Sequence, residues 1–290
     1  MEFTQTQYET SSLELFDFIE NSPSSFHAIH QAAALLTSDG FTELEEGHLW
    51  NLEKGGKYFV RRNGSALIGF KIPKEDYKNF QIIASHSDSP SFRLKENPEM
   101  KAGGGCVKLN VERYGGMLCA PWFDRPLSIA GKVMVREGNR FVSHLVNLDR
   151  DLVMMVNLAI HMNRKSNDGY TFNAQKDLLP LFGQDCEDGS LKRLVAQALG
   201  VEEAAVVGTD LYLYNRMPGT IWGANREFIS APRLDDLQCA FSSLKALTES
   251  LNRDSVSVCA IFDNEEVGSQ TRHGALSTFL SDVLTRIASN

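Results

Sequence analysis

Three short stretches carry the residue types that hold metal ions and move protons. Phe262 is followed by Asp263-Asn264-Glu265-Glu266-Val267-Gly268-Ser269, three carboxylates in four positions and then a glycine that permits a tight turn. His86-Ser87-Asp88 sets a carboxylate two residues after an imidazole, and Asp235-Asp236 sets two acids side by side. A zinc-bound histidine nearly always ties its second ring nitrogen to an acceptor, and Asp88 is a candidate for that acceptor. Imidazole nitrogen with carboxylate oxygen is a donor set that zinc takes. Two cations sharing one carboxylate suit activation of water against a peptide carbonyl. Adjacent residues on a strand point to opposite sides, so one of Glu265 and Glu266 can bind a metal while the other handles a proton.

Each stretch also has an ordinary explanation. A strand end followed by acids is often a solvated turn, and Asp235 and Asp236 are good caps for a helix start. What favours metal-assisted hydrolysis is the elements that carry the stretches. Ser255 to Phe262 is short, apolar and β-branched, which predicts a buried strand. Phe80 to Ser85 predicts a second buried strand running straight into His86. Leu237 to Leu251 predicts a long amphipathic helix entered through Asp235-Asp236. Ligands sit at such element ends in α/β proteins, and here several ends supply hard or borderline donors.

Helices are also expected at Ser11 to Asn21, Phe26 to Thr37, Leu191 to Leu199 and Gly274 to Ile287, with a hairpin around Asn63-Gly64. Leu152 to Arg164 has helical spacing and carries His161. Between Phe92 and Phe228 the chain turns β-rich, and Gly103-Gly104-Gly105 lacks the spacing of a phosphate-binding loop. The expected organisation is 1–91 and 229–290 as two parts of a catalytic α/β domain, with 92–228 inserted as a β-rich oligomerisation domain.

The 290 residues carry a net charge of −8, which argues against nucleic acid or an anionic membrane as the main partner. No apolar run reaches spanning length, and the polar, acidic start is unlike a signal peptide. Five scattered cysteines with no CxxC pair read as reduced thiols of a cytoplasmic protein.

With their flanks included, His86 to Lys95, Trp122-Phe-Asp-Arg-Pro-Leu-Ser128, Ala231-Pro-Arg-Leu-Asp-Asp236 and Phe262 to Ser269 resemble the aspartyl aminopeptidase family of dizinc exopeptidases, in family order along nearly the whole chain. The resemblance implies a zinc-exopeptidase-like α/β domain interrupted by a β-rich dimerisation domain. It implies dimer-based dodecamers and release of single N-terminal residues, often Asp or Glu, from peptides. By it, His86 binds one Zn2+, Asp235 bridges two, and Glu266 binds the other, with Mn2+ or Co2+ as possible substitutes. Glu265 is the general base, Asp88 orients His86, and His161 reaches a neighbouring subunit's site to stabilise the oxyanion.

Members of that family continue beyond the length of this chain, and the further segment carries another carboxylate ligand, another histidine ligand and the side-chain pocket. The expectation is therefore a fragment that is inactive and aggregation-prone by itself. His273, seven residues after Glu266, is not expected to be a ligand. Two other readings stay open: a non-catalytic oligomeric scaffold, and a metal-dependent deacylase of small amides.

Overall fold

The computed structural model describes residues 4–290, which divide into two compact units, 4–89 with 217–290 and 90–216. Residues 217–228 thus go with the first unit rather than with the β-rich block.

The first unit contains α1 (Gln5–Glu20), α2 (Ser25–Ser38), β1 (Thr42–Leu44), β2 (Lys57–Arg62), β3 (Ala66–Lys71) and β4 (Asn79–His86). It resumes with the β11–β12 hairpin (Thr220–Trp222, Phe228–Ser230), α4 (Leu234–Glu249), β13 (Ser255–Phe262) and α5 (Phe279–Ala288). Its five-stranded sheet runs β1-β2-β3-β13-β4. Every residue of β13 is buried, as expected for a strand with neighbours on both edges and helices on both faces. One face packs on α1, α2 and α4 through Phe59, Leu67, Cys259 and Ile261. The other packs on α5 through Phe70, Val258, Phe279 and Val283.

β4 corrects the expectation of a buried strand. It is the last strand of the sheet, and Ile82 and Ile83 are 45% and 42% exposed. It runs parallel to β13 with His86 opposite Phe262, so both strands end at the same rim. The Ser87 N–H donates to the Phe262 carbonyl at 2.8 Å and locks that level. The β2–β3 turn has Asn63 and Gly64 both at positive φ (59° and 72°), the central pair of a turn that the Ser65 N–H closes on the Arg62 carbonyl at 3.3 Å.

Two helix boundaries moved for local reasons. α1 starts six residues before the expected Ser11, because Thr4 and Gln7 form a capping box ahead of the first apolar residue. α5 starts at Phe279, because Gly274 to Ser277 is spent on turns.

The second unit contains β5 (Ser91–Lys101), β6 (Cys106–Tyr114), β7 (Leu127–Glu137), β8 (Arg140–Asn147), β9 (Leu181–Gln184), α3 (Ser190–Leu199) and β10 (Val206–Asn215). The sheet order is β8-β7-β10-β5-β6-β9. The helix expected at 152–164 is not formed. Val153 and Met155 alternate into the core at 3% and 0% exposure, through isolated bridges to Leu127 and Phe123. Val156, Leu158, Ile160 and Met162 are 49–68% exposed, so the apolar residues that mimicked a helical stripe are divided between a strand-like period and a surface turn.

Candidate metal centre

Three element ends of the first unit meet at the rim where β4 and β13 stop. His86 is the last residue of β4, Asp235 and Asp236 open α4, and Glu265 and Glu266 lie on a 3-10 turn just beyond β13. The His86 Nε2 atom is 3.4 Å from Asp235 Oδ1, 3.7 Å from Asp236 Oδ2 and 3.8 Å from Glu265 Oε2. Two sets of ligand atoms, His86 with Asp235 and Asp236, and His86 with Glu265 and Glu266, each lie within 4.8 Å of one another.

Asp88 is the support beneath this cluster. Its carboxylate is 3% exposed, and Oδ1 sits 3.2 Å from His86 Nδ1. The same carboxylate accepts the backbone N–H of Glu265 and of Glu266, each at 3.2 Å. The Asp88 carbonyl also faces His86 Nδ1, at 3.1 Å. The second ring nitrogen is therefore committed to Asp88, and Nε2 points at the acids.

The expectation that Glu265 and Glu266 diverge is corrected by the turn that carries them. Asn264 takes a left-handed conformation (φ 61°), Glu265 to Val267 coil into one tight turn, and both carboxylates reach the site. Capping is corrected as well. Asp235 and Asp236 have non-helical backbone angles, and no side-chain capping bond starts α4. Asp236 instead reaches back across the rim, where Oδ2 accepts the His86 N–H at 3.0 Å. That N–H lies on the side of β4 turned away from β13, where no strand takes it. Asp236 also holds the Cys239 thiol by a hydrogen bond, which pushes that thiol up to about 11. The sequence reading missed this role; adjacency to Asp235 was the only signal for it.

His161 belongs to the other compact unit, exposed on a turn where Met162 N–H meets the Ala159 carbonyl. Among the described residues the rim cluster thus contains four of the six residues singled out by sequence, His86, Asp235, Glu265 and Glu266, together with Asp236, and Asp88 supports it from beneath.

The electrostatics are those of a site short of positive charge. Glu266 is pushed up to about 7, first by burial and then by the carboxylates of Asp235 and Asp88, while His86 pulls the other way. His86 is raised to about 9: burial opposes its charge, but the hydrogen bond and charge of Asp88, then Asp236 and Glu265, outweigh it. A bound cation would relieve both. The spacing fits one, since two donors about 2.0–2.2 Å from a tetrahedral zinc lie about 3.3–3.6 Å apart. Asp235 and Glu265 are 74% and 55% exposed, so water reaches the cluster from the open side.

Residues 18–290 match the sequence model of the aminopeptidase I zinc metalloprotease (M18) family. A probable M18 family aminopeptidase 2 of Clostridium acetobutylicum is 45% identical over 282 residues, covering 94% of this chain and 65% of the relative. A chain of the Ape4 and Nbr1 complex superposes with a TM-score of 0.93 at 34% identity, over 100% of this chain and 61% of that one. The S. cerevisiae mApe1 dodecamer gives 0.84 at 30% identity, over 98% and 67%. The chain spans 65% of the length of the curated relatives it matches. With a rim that gathers one imidazole and four carboxylates, and a family match over 18–290, the chain belongs to the aminopeptidase I zinc metalloprotease (M18) family.

Proposed function

We propose that the protein containing this chain is a metal-dependent aminopeptidase that releases single N-terminal residues from peptides. The observation that carries this is the His86 Nε2 atom facing acids from two other element ends, with Nδ1 held by buried Asp88. Bound at this rim, zinc would lower the pKa of a water and polarise the scissile carbonyl. His86 would hold one ion, Asp235 both, and Glu266 the second, and Mn2+ or Co2+ could stand in for zinc.

The residues of the chain then divide the remaining work. Glu265, exposed to water and close to the donors, takes the proton from the attacking water and returns it to the leaving amine. Asp88 and Asp236 fix His86 from its two sides. Shared this way, each ion has two ligands from these residues, one fewer than the three protein ligands usual in catalytic zinc sites. Metal binding by the 290-residue chain alone is therefore weak, and its own turnover low or absent.

The reading includes a preference for acidic N-terminal residues. Four carboxylates at the rim repel an acidic side chain, so this preference requires a cation facing the substrate. It further includes the cytoplasm as compartment, supported by five free cysteines. No described helix is long and apolar enough to cross a membrane. Self-association through the inserted unit, as dimers built into a dodecamer, is supported by the dodecameric mApe1 neighbour and by the exposed run Val156, Leu158, Ile160 and Met162. In such an assembly His161, on that run, would stabilise an oxyanion in a neighbouring subunit.

The test is a metal titration of the purified chain and of His86→Ala. It is paired with release of the first residue from peptides beginning with Asp, Glu, Ala or Leu, and with N-acyl amino acids as the deacylase control. Chelator-reversible binding that His86→Ala abolishes is expected. Binding that survives His86→Ala, or turnover confined to N-acyl amino acids, overturns the proposal.

A further inference from the structure

The turn that carries Glu265 and Glu266 is a loop closed at its neck. The chain leaves the sheet after Phe262 and comes back against its own exit at His273. There the Asp263 N–H donates to the His273 carbonyl at 3.2 Å, and His273 Nε2 lies 3.5 Å from Asp263 Oδ2. Asp263 is buried and His273 mostly so, at 4% and 13% side-chain exposure. Inside the loop, the Asn264 carbonyl accepts Ser269 N–H at 2.8 Å, Thr271 Oγ1 donates to Asn264 Oδ1 at 2.9 Å, and the Glu265 carbonyl accepts Gly268 N–H at 2.9 Å. From outside, the β2–β3 hairpin leans on the returning limb of the loop. Arg62 Nη1 donates to the Arg272 carbonyl at 3.1 Å, and Asn63 Nδ2 is 3.5 Å from His273 Nε2.

We propose that His273 is a positioning residue: its imidazole closes the neck of the loop against Asp263 and so fixes where Glu265 and Glu266 stand. The inference rests on the metal-site reading and deepens it. Asp263 is two residues before Glu265, and its Oδ1 atom accepts the Asn264 N–H at 2.8 Å. A shift of Asp263 therefore passes directly into the left-handed Asn264 and the turn after it. Site residues must be held within about 0.5 Å to act together, and the loop 263–273 meets that demand more readily when its ends are pinned. Asp88 holds the turn from below, and His273 holds its ends.

The experiment compares wild type with His273→Leu, His273→Gln, His86→Ala and the core control Ile29→Val, all in the 290-residue chain. Co2+ affinity is read from the visible spectrum, amide exchange at Glu265 to Gly268 by NMR, and stability by Tm. His273→Leu is expected to weaken Co2+ binding about tenfold and to speed exchange at those amides. His273→Gln, which keeps a donor near the Nε2 position, stays within about threefold of wild type, and Ile29→Val changes only Tm. If His273→Leu leaves both affinity and exchange within threefold, or moves them no more than Ile29→Val, the inference is overturned. If instead His86→Ala binds Co2+ as wild type does, the metal reading is what fails. The exchange data then still decide whether His273 holds the loop.

Discussion

Asp88 Oδ2 accepts the backbone N–H of Glu266 at 3.2 Å, across 178 positions of chain. The other oxygen takes the Glu265 N–H and faces His86 Nδ1. One buried carboxylate thus sets the relative position of an imidazole on β4 and two acids beyond β13. Asp88→Asn keeps the size but replaces one acceptor oxygen by a donor that confronts N–H groups. Leaving a buried donor unmet costs about 1–3 kcal/mol, to be read from urea unfolding. Metal affinity is expected to fall about 10–100-fold, the usual cost of losing the partner that orients a ligand.

How far this site was legible in the sequence follows from what each feature depends on. β13 was readable residue by residue, because eight apolar and small residues bounded by acids can be little else. His86 and Glu266 were readable because they stand at the ends of such runs. The bond from Asp236 to the His86 N–H was not, because it exists only once α4 is packed beside an unpaired strand edge. The exposure of β4 was hidden for the same reason, since an edge strand and a central one share the same composition. At 152–164 helical spacing misled, because Val153 and Met155 bury with period two while Leu158 and Met162 stay more than half exposed.

Without metal, the cluster makes stability fall as pH rises. Glu266 in the folded chain keeps its proton up to about 7 while the unfolded value is 4.5, so its contribution is lost as pH rises through that window. His86 is charged in the folded chain up to about 9 against 6.5 unfolded. Its stabilisation is complete below 6.5 and gone above about 9. Both act in one direction, so wild type in chelator should lose more Tm between pH 6 and 9 than His86→Asn does. Metal must displace the same protons, so affinity should climb over that range with proton release visible in calorimetry. An affinity independent of pH would contradict the assigned ligands.

Adjacent Glu265 and Glu266 are assigned different work, and substitution separates them. Glu266→Gln and Asp235→Asn each remove an assigned ligand and should lower Zn2+ or Co2+ affinity at least about tenfold. Glu265→Gln should leave affinity within about threefold. Wherever turnover is measurable it should lower the rate by about 10²–10⁴, the usual contribution of a general base. Equal losses of affinity in Glu265→Gln and Glu266→Gln would mean that both are ligands.

The closed loop makes a last prediction at Gly274, where the chain crosses over its own outgoing limb. A Cβ added there would stand 2.4 Å from the Ser269 carbonyl oxygen and 2.9 Å from its Cα. These are backbone atoms, so no side-chain rotation relieves the contact. The same carbonyl already accepts the Leu276 N–H at 3.2 Å, and Ser269 N–H is bound to the Asn264 carbonyl. Any movement that makes room therefore pulls on Asn264, one residue before Glu265. Gly268→Ala is the contrast: nothing lies within 4 Å of its added Cβ, and its cost of about 1–2 kcal/mol arises from φ +98° at that residue alone. Gly274→Ala should cost about 1–3 kcal/mol through overpacking and, unlike Gly268→Ala, should shift the amide resonances of Ser269, Asn264 and Glu265 together. If the resonances of Asn264 and Glu265 stay in place while stability falls, strain at Gly274 is not transmitted across the loop to the acids.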